Sequence, residues 1–151
     1  MTQKINKEEL LGLAKELSEL ETRYQYQRID FAFPDSGPYA RTQYTKHMEF
    51  LEAGKDCFIR GFIAANRVGK SFLAGYEITC HLTGRYPKWW KGKKFKGPIK
   101  AWAAGVNTKQ VSAAIQETLF GSYTDPGTGL IPKDCLTGDK GEVQIWAMPG
   151  V

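Results

Sequence analysis

The stretch Cys57-Phe58-Ile59-Arg60-Gly61-Phe62-Ile63-Ala64-Ala65-Asn66-Arg67-Val68-Gly69-Lys70-Ser71 decides the fold. An apolar run of strand length comes first, then a loop bearing one glycine, then a helical pattern that stops at Gly84. Strand, loop and helix in that order are what a phosphate-binding loop needs. Its pattern is G-x-x-x-x-G-K-[ST], and here Ala64 stands in place of the first glycine while the other positions fit. Gly69 lets the backbone bend so that successive N–H groups converge on an anion, at the positive end of the helix that follows. In that reading Ala65, Asn66, Arg67, Val68, Gly69, Lys70 and Ser71 hold ATP. Lys70 reaches the β- and γ-phosphate oxygens and Ser71 ligates Mg²⁺. Arg67 has two open readings: a charge stabiliser supplied in cis beside the γ-phosphate, or a surface ion pair.

Upstream, the residues from Lys7 to about Tyr26 predict an amphipathic helix. Asn6 and Glu9 form a capping box, and Leu10, Leu13, Leu17, Leu20 and Tyr24 recur at three- and four-residue spacing. Phe33-Pro34-Asp35-Ser36-Gly37-Pro38 breaks the pattern. A second helix is expected from Arg41 to Ala53, stopping at Gly54, and a third from Lys70 to Leu82. Downstream, Ile99-Lys100-Ala101-Trp102-Ala103-Ala104-Gly105-Val106 reads as a second strand. Asn107 with Gln110 caps a helix that runs to Phe120, and Glu142 to Met148 alternates as a third strand. The alternation predicts an α/β fold: a P-loop NTPase-like parallel sheet of about three strands with flanking helices. Residues 1–54 form an N-terminal helical segment and linker, and residues 55–151 the N-terminal half of an ATPase domain.

The chain has 151 residues, 42% hydrophobic and 25% charged, ordinary for one globular domain. No apolar stretch approaches the roughly 20 residues of a membrane span, and Met1 to Lys7 does not read as a secretory signal. The expectation is a cytoplasmic protein. Cys57, Cys80 and Cys135 lack any C-x-x-C pair, so they are read, with His47 and His81, as packing residues.

Of the 21 basic residues, seven lie between Arg85 and Lys100 with no acid among them. The remaining 14 are outnumbered by the chain's 16 acids, so the net +5 comes from one local patch. A polyanionic partner is implied, with Lys91, Lys93, Lys94 and Lys96 as candidate contacts to DNA phosphates. Solvated lysines around a packed core remain the other reading. The interleaved Tyr86, Trp89, Trp90 and Phe95 are read as mostly structural, and Gln43, Tyr44 and His47 as candidate contacts on the adenine side.

Several strings together resemble a known family. These are Ala65 to Ser71, His81-Leu82-Thr83-Gly84-Arg85-Tyr86-Pro87, Trp89-Trp90-Lys91-Gly92-Lys93-Lys94-Phe95, Phe33 to Pro38, His47 to Gly54, and Gly129-Leu130-Ile131-Pro132-Lys133-Asp134. In that order they resemble the large terminase subunit of tailed bacteriophages, over about residues 30 to 138. The resemblance implies an ATPase that drives double-stranded DNA into a procapsid. Its implied partners are the portal protein and the small terminase subunit, its implied assembly a ring. Its implied place is the host cytoplasm, not the mature virion. A basic residue inside the phosphate loop is common in that family, which favours a catalytic or coupling role for Arg67 beside Lys70. The family's acidic Asp-Glu strand is expected well downstream, and no apolar run here ends in such a pair. Nor is there an acidic cluster suited to a nuclease, so the chain reads as an N-terminal portion with little or no hydrolysis by itself.

A second class of function stays open: a catalytically inactive, terminase-derived fragment acting as a protein-interaction module, for example one met by a host defence sensor. A small P-loop kinase is disfavoured, since no acidic base or lid segment is evident.

Overall fold

The computed structural model describes residues 6–105, 107, 111–137 and 144–145. Helix α1 spans Lys7–Tyr26, and the Asn6 main-chain N–H donates to the Glu9 carboxylate at 3.0 Å, as the capping box predicts. Two short 3₁₀ turns, Arg28–Phe31 and Arg41–Gln43, lead to α2, Thr45–Ala53. The second helix is therefore shorter than predicted, because its first three residues close a separate turn against Ala40. Helix α3 is Lys70–Thr83, and Gly84 ends it at φ 70 with its N–H on the Cys80 carbonyl. This is the left-handed stop that glycine permits at lowest cost.

The fourth predicted helix is present in altered form. A π-helical turn, Val111–Gln116, runs into a short α4, Glu117–Phe120. Gln110, half of the predicted capping box, lies outside the described residues.

Helix α3 is the centre of the molecule. One face carries Leu73, Tyr76 and Cys80 into a core shared with Ile29, Phe33, Leu51, Trp90 and Leu130. The opposite side meets a smaller core of Leu119, Ile131 and Cys135, against which Ile78 and Leu82 pack. The two helices approach closely at Gly75, where an added Cβ would meet the Thr118 methyl at 2.9 Å. Leu130 and Ile131 then donate their N–H groups to the carbonyls of Thr118 and Leu119.

The predicted parallel sheet of about three strands is not formed among the described residues. The only strands described there are two-residue antiparallel pairs: β1 (Gly121–Ser122) with β2 (Asp125–Pro126), and β3 (Leu136–Thr137) with β4 (Gln144–Ile145). Residues 57–64 and 99–105 have no regular structure. Of the third predicted strand, Glu142 to Met148, only Gln144–Ile145 is described, and it pairs antiparallel. The physical reason lies in hydrogen bonding. A helix satisfies its own backbone, whereas a strand needs a neighbour, and no described segment runs beside these two. Phe58 (101%), Ile63 (100%) and Trp102 (94%) stand fully exposed.

Candidate functional site

The loop begins where α3 begins. Gly69 takes the left-handed conformation at φ 85, which turns the chain into the first helical residue, Lys70. Arg67 is left-handed too, at φ 63, and is the one non-glycine residue so placed among those described. A side chain in that region costs about 1–2 kcal/mol. The loop holds the geometry through its contacts. The Lys70 ammonium curls back and donates to the carbonyl oxygens of Ala64, at 2.8 Å, and Ala65, at 2.5 Å. From the opposite side, the His47 Nε2 sits 2.9 Å from the Val68 carbonyl oxygen. His47 thus anchors the loop, which corrects its reading as a simple packing residue. The 21 residues between it and Val68 hide the contact from sequence inspection.

A cavity of about 630 Å³ opens beside the loop. Arg67, Val68 and Gly69 form one wall, and Gln43, Tyr44 and His47 another. The residues predicted for the phosphate end and the adenine side therefore meet at one place. Ala65, Asn66, Lys70 and Ser71 are not in the cavity wall, which the loop enters through Arg67 to Gly69. The lining includes three cations, Arg28, Lys46 and Arg67, and no carboxylate; aromatic rings such as Tyr24, Phe33, Tyr39 and Phe72 supply much of the rest. Arg67 forms no ion pair among the described residues, so the surface-pair reading has no partner there. Ser71 is exposed in the first turn of α3.

Behind the loop lies a clasp that sequence inspection missed. Arg60, on the segment entering the loop, donates to the Phe50 carbonyl at 2.6 Å and to Glu77 Oε1 at 2.8 Å. Its guanidinium also lies 4.5 Å from the Phe50 ring centre. Gly54 leaves room for it, since a Cβ there would meet the guanidinium at 2.9 Å. Glu77 is buried, with His81 Nε2 3.6 Å from the same oxygen. Burial is the largest influence on the Glu77 carboxyl and pushes its pKa up, yet hydrogen bonds and charge from His81 and Arg60 together bring it below the ordinary value. The clasp ties α2, the entering segment and α3 together. The only sequence signal is a charged pair, Arg60 and Glu77, inside two otherwise apolar runs.

Cys80 is fully buried, and desolvation pushes its thiol up to about 12. Cys135 is buried as well, whereas Cys57 is exposed, which corrects its reading as a packing residue. Among the described residues no group of three or more His, Cys, Asp or Glu is gathered to hold a metal ion.

Comparison with known proteins supplies the lineage. The chain is 38% identical over 117 residues to a protein of Salmonella phage P22 described as "Terminase, large subunit". The chain is homologous to a terminase large subunit. The match takes in 68% of this chain but only 23% of the relative, so the chain spans about a quarter of that terminase's length. No family model and no solved structure matches.

The strings that carry the terminase resemblance fall on the core and the cavity. Phe33, Leu51 and Trp90 are core residues, and His47, Arg67 and Gly69 line the cavity. Arg85 and Asp134, from two of the strings, form an ion pair. In the basic stretch, Trp90 is buried and its indole N–H donates to the Lys93 carbonyl at 3.0 Å. Trp89 stacks on Tyr76, the rings 7° from parallel. The aromatic residues there are thus structural. Lys91, Lys93, Lys94 and Lys96 are exposed, with Lys91 within 3.9 Å of Glu52 and the Lys94 ammonium 5.6 Å from the Tyr86 ring centre. No helix among the described residues is long and apolar enough to cross a membrane.

Proposed function

We propose that the loop from Ala64 to Ser71 and the adjoining cavity bind ATP with Mg²⁺, as part of the ATPase of a viral DNA-packaging motor. The cavity carries this reading: a space walled by aromatic rings and three cations, with no carboxylate, suits an anion that bears a flat base. Homology to a terminase large subunit supports it from a separate direction.

The residues fit a polyphosphate in their chemistry. Left-handed Gly69 opens α3, whose first amides and dipole favour negative charge. Lys70, now bonded to two loop carbonyls, exchanges them for phosphate oxygens. Arg67 reaches the same charge from the cavity wall. Ser71 would hold Mg²⁺ through its hydroxyl, and the ion would supply neutralisation of the phosphate charge. Tyr44 and Gln43, which line the same cavity, would meet the base, and His47 holds the loop at the Val68 carbonyl.

In the terminase reading, residues 55–151 correspond to the first half of the ATPase domain and residues 1–54 to the helical segment and linker before it. Hydrolysis, DNA translocation, ring assembly and contacts with the portal and small subunit would be activities of the whole terminase. Lys91, Lys93, Lys94 and Lys96 then meet DNA phosphates without reading sequence.

The test is a titration of a fluorescent ATP analogue with Mg²⁺ against the chain and its Lys70→Ala variant. Charge-assisted hydrogen bonds are worth about 1.5–3 kcal/mol, so the variant should bind about 10- to 150-fold more weakly. Equal binding by both, or none by a folded chain, overturns the proposal.

A further inference from the structure

Helix α1 is 20 residues long and none of them is buried. Leu10, Leu13, Leu17 and Leu20 lie at spacings of three, four and three, each between 53% and 60% exposed. That spacing is a heptad seam, with leucine at successive a and d positions. Among the described residues, only the helix's end is fixed to the body: the Tyr26 hydroxyl and the Gln25 amide both donate to Asp125, at 3.0 and 3.4 Å. Tyr24, the next seam position, already meets the Phe31 ring at 5.5 Å between centroids. Four leucines are left presenting a continuous apolar edge to water. The chain gains by covering them.

We propose that α1 pairs antiparallel with α1 of a second copy of this chain. The occupant is named by the charges flanking the seam. Lys7 and Glu21 lie along one edge (e positions), and Glu9 and Arg23 along the other (g positions). With Glu16 midway along the second edge, the order read from either end is cation, anion, anion, anion, cation. Reversal of one helix therefore sets Lys7 against the second copy's Glu21 and Glu9 against its Arg23, and two-fold symmetry repeats each pair. Leu10 then packs beside the second copy's Leu20, and Leu13 beside its Leu17. Ala14 and Glu16 each face their own equivalent near the axis, and Glu16 is the one charged residue that does so. A parallel pair instead sets Glu16 against Glu21 twice and leaves Glu9 opposite Ala14. In the free chain Arg23 is 3.8 Å from Asp30, and both side chains are largely exposed, so that pairing yields to another carboxylate at little cost.

Sedimentation equilibrium of the 151-residue chain tests this. The expected result is a reversible monomer–dimer equilibrium between 17.0 kDa and twice that mass. Leu13→Glu, on an exposed helix face, should leave circular dichroism unchanged and give only monomer. Glu21→Lys, which sets Lys7 against a lysine twice over, should weaken the dimer about tenfold, and adding Lys7→Glu should restore it. For orientation, Ala14→Cys in a Cys57→Ser background should cross-link on mild oxidation, because only the antiparallel pair brings the two position-14 residues to the same edge. A chain that stays monomeric at every concentration overturns the proposal, as does a dimer indifferent to Leu13→Glu. A dimer abolished by Phe58→Glu instead would move the contact to the exposed apolar segments and equally overturn it.

Discussion

Helix α3 and the segment that precedes the loop are both apolar, adjacent in sequence and joined through Gly69, yet they differ completely in burial. Leu73, Tyr76 and Cys80 are among the most buried residues of the chain, while Phe58, Ile59 and Ile63 are among the most exposed. The difference follows from what each element needs. A helix closes its own hydrogen bonds and has only to find a cover for one side, which Trp90, Leu51 and Leu130 supply. A strand needs hydrogen-bonding neighbours and a cover on each apolar face. Along the segment, the side chains of Arg60 and Phe62 are held by the body, through the clasp to Glu77 and ring contacts with Phe50 and His47. The loop thus receives its geometry from the helical side.

Substitutions can break this contrast. Leu73→Ala removes a fully buried side chain and should cost about 2–5 kcal/mol in urea unfolding, whereas Ile63→Ala should stay within about 0.5 kcal/mol. Equal costs would mean that Ile63 is covered in solution. Arg60→Ala should come next, at about 2–3 kcal/mol, because it strands the buried Glu77 carboxylate with His81 as its remaining close partner.

The clasp also has a pH signature. The folded Glu77 pKa lies below its ordinary 4.5. Its contribution is therefore fully present above that value and lost as pH falls through the lower, folded one. The stability advantage of the wild type over Glu77→Gln should shrink on acidification from pH 5 to pH 3. An advantage that grows over that range would reverse the assigned direction. His47→Ala should have the smallest effect on folding, about 1 kcal/mol, since it removes one partly exposed hydrogen bond. It should nevertheless weaken ATP-analogue binding several-fold by releasing Val68.

Much of the helical half was legible in the sequence. Asn6 with Glu9 marked the start of α1, and Gly84 the end of α3, because capping is local chemistry. The apolar runs around Ile63 and Trp102 were equally visible, but whether such a run pairs depends on residues far away, which local patterning does not encode. The turn into α3 was legible through Gly69 and Lys70. Its supports were not, since Arg60 meets Glu77 across 17 residues and His47 meets Val68 across 21. Gln43 and Tyr44 were singled out by type and position, and only the fold brings them to the same cavity as Arg67.

Hydrogen exchange with and without Mg²⁺–ATP tests the central claim most directly, because it reports where the nucleotide sits as well as whether it binds. Protection should rise at the amides of residues 65–72 and 43–47, on the two walls of the cavity, and change little at residues 91–96. No change at the loop, or protection confined to the lysine stretch, would contradict the proposed nucleotide site.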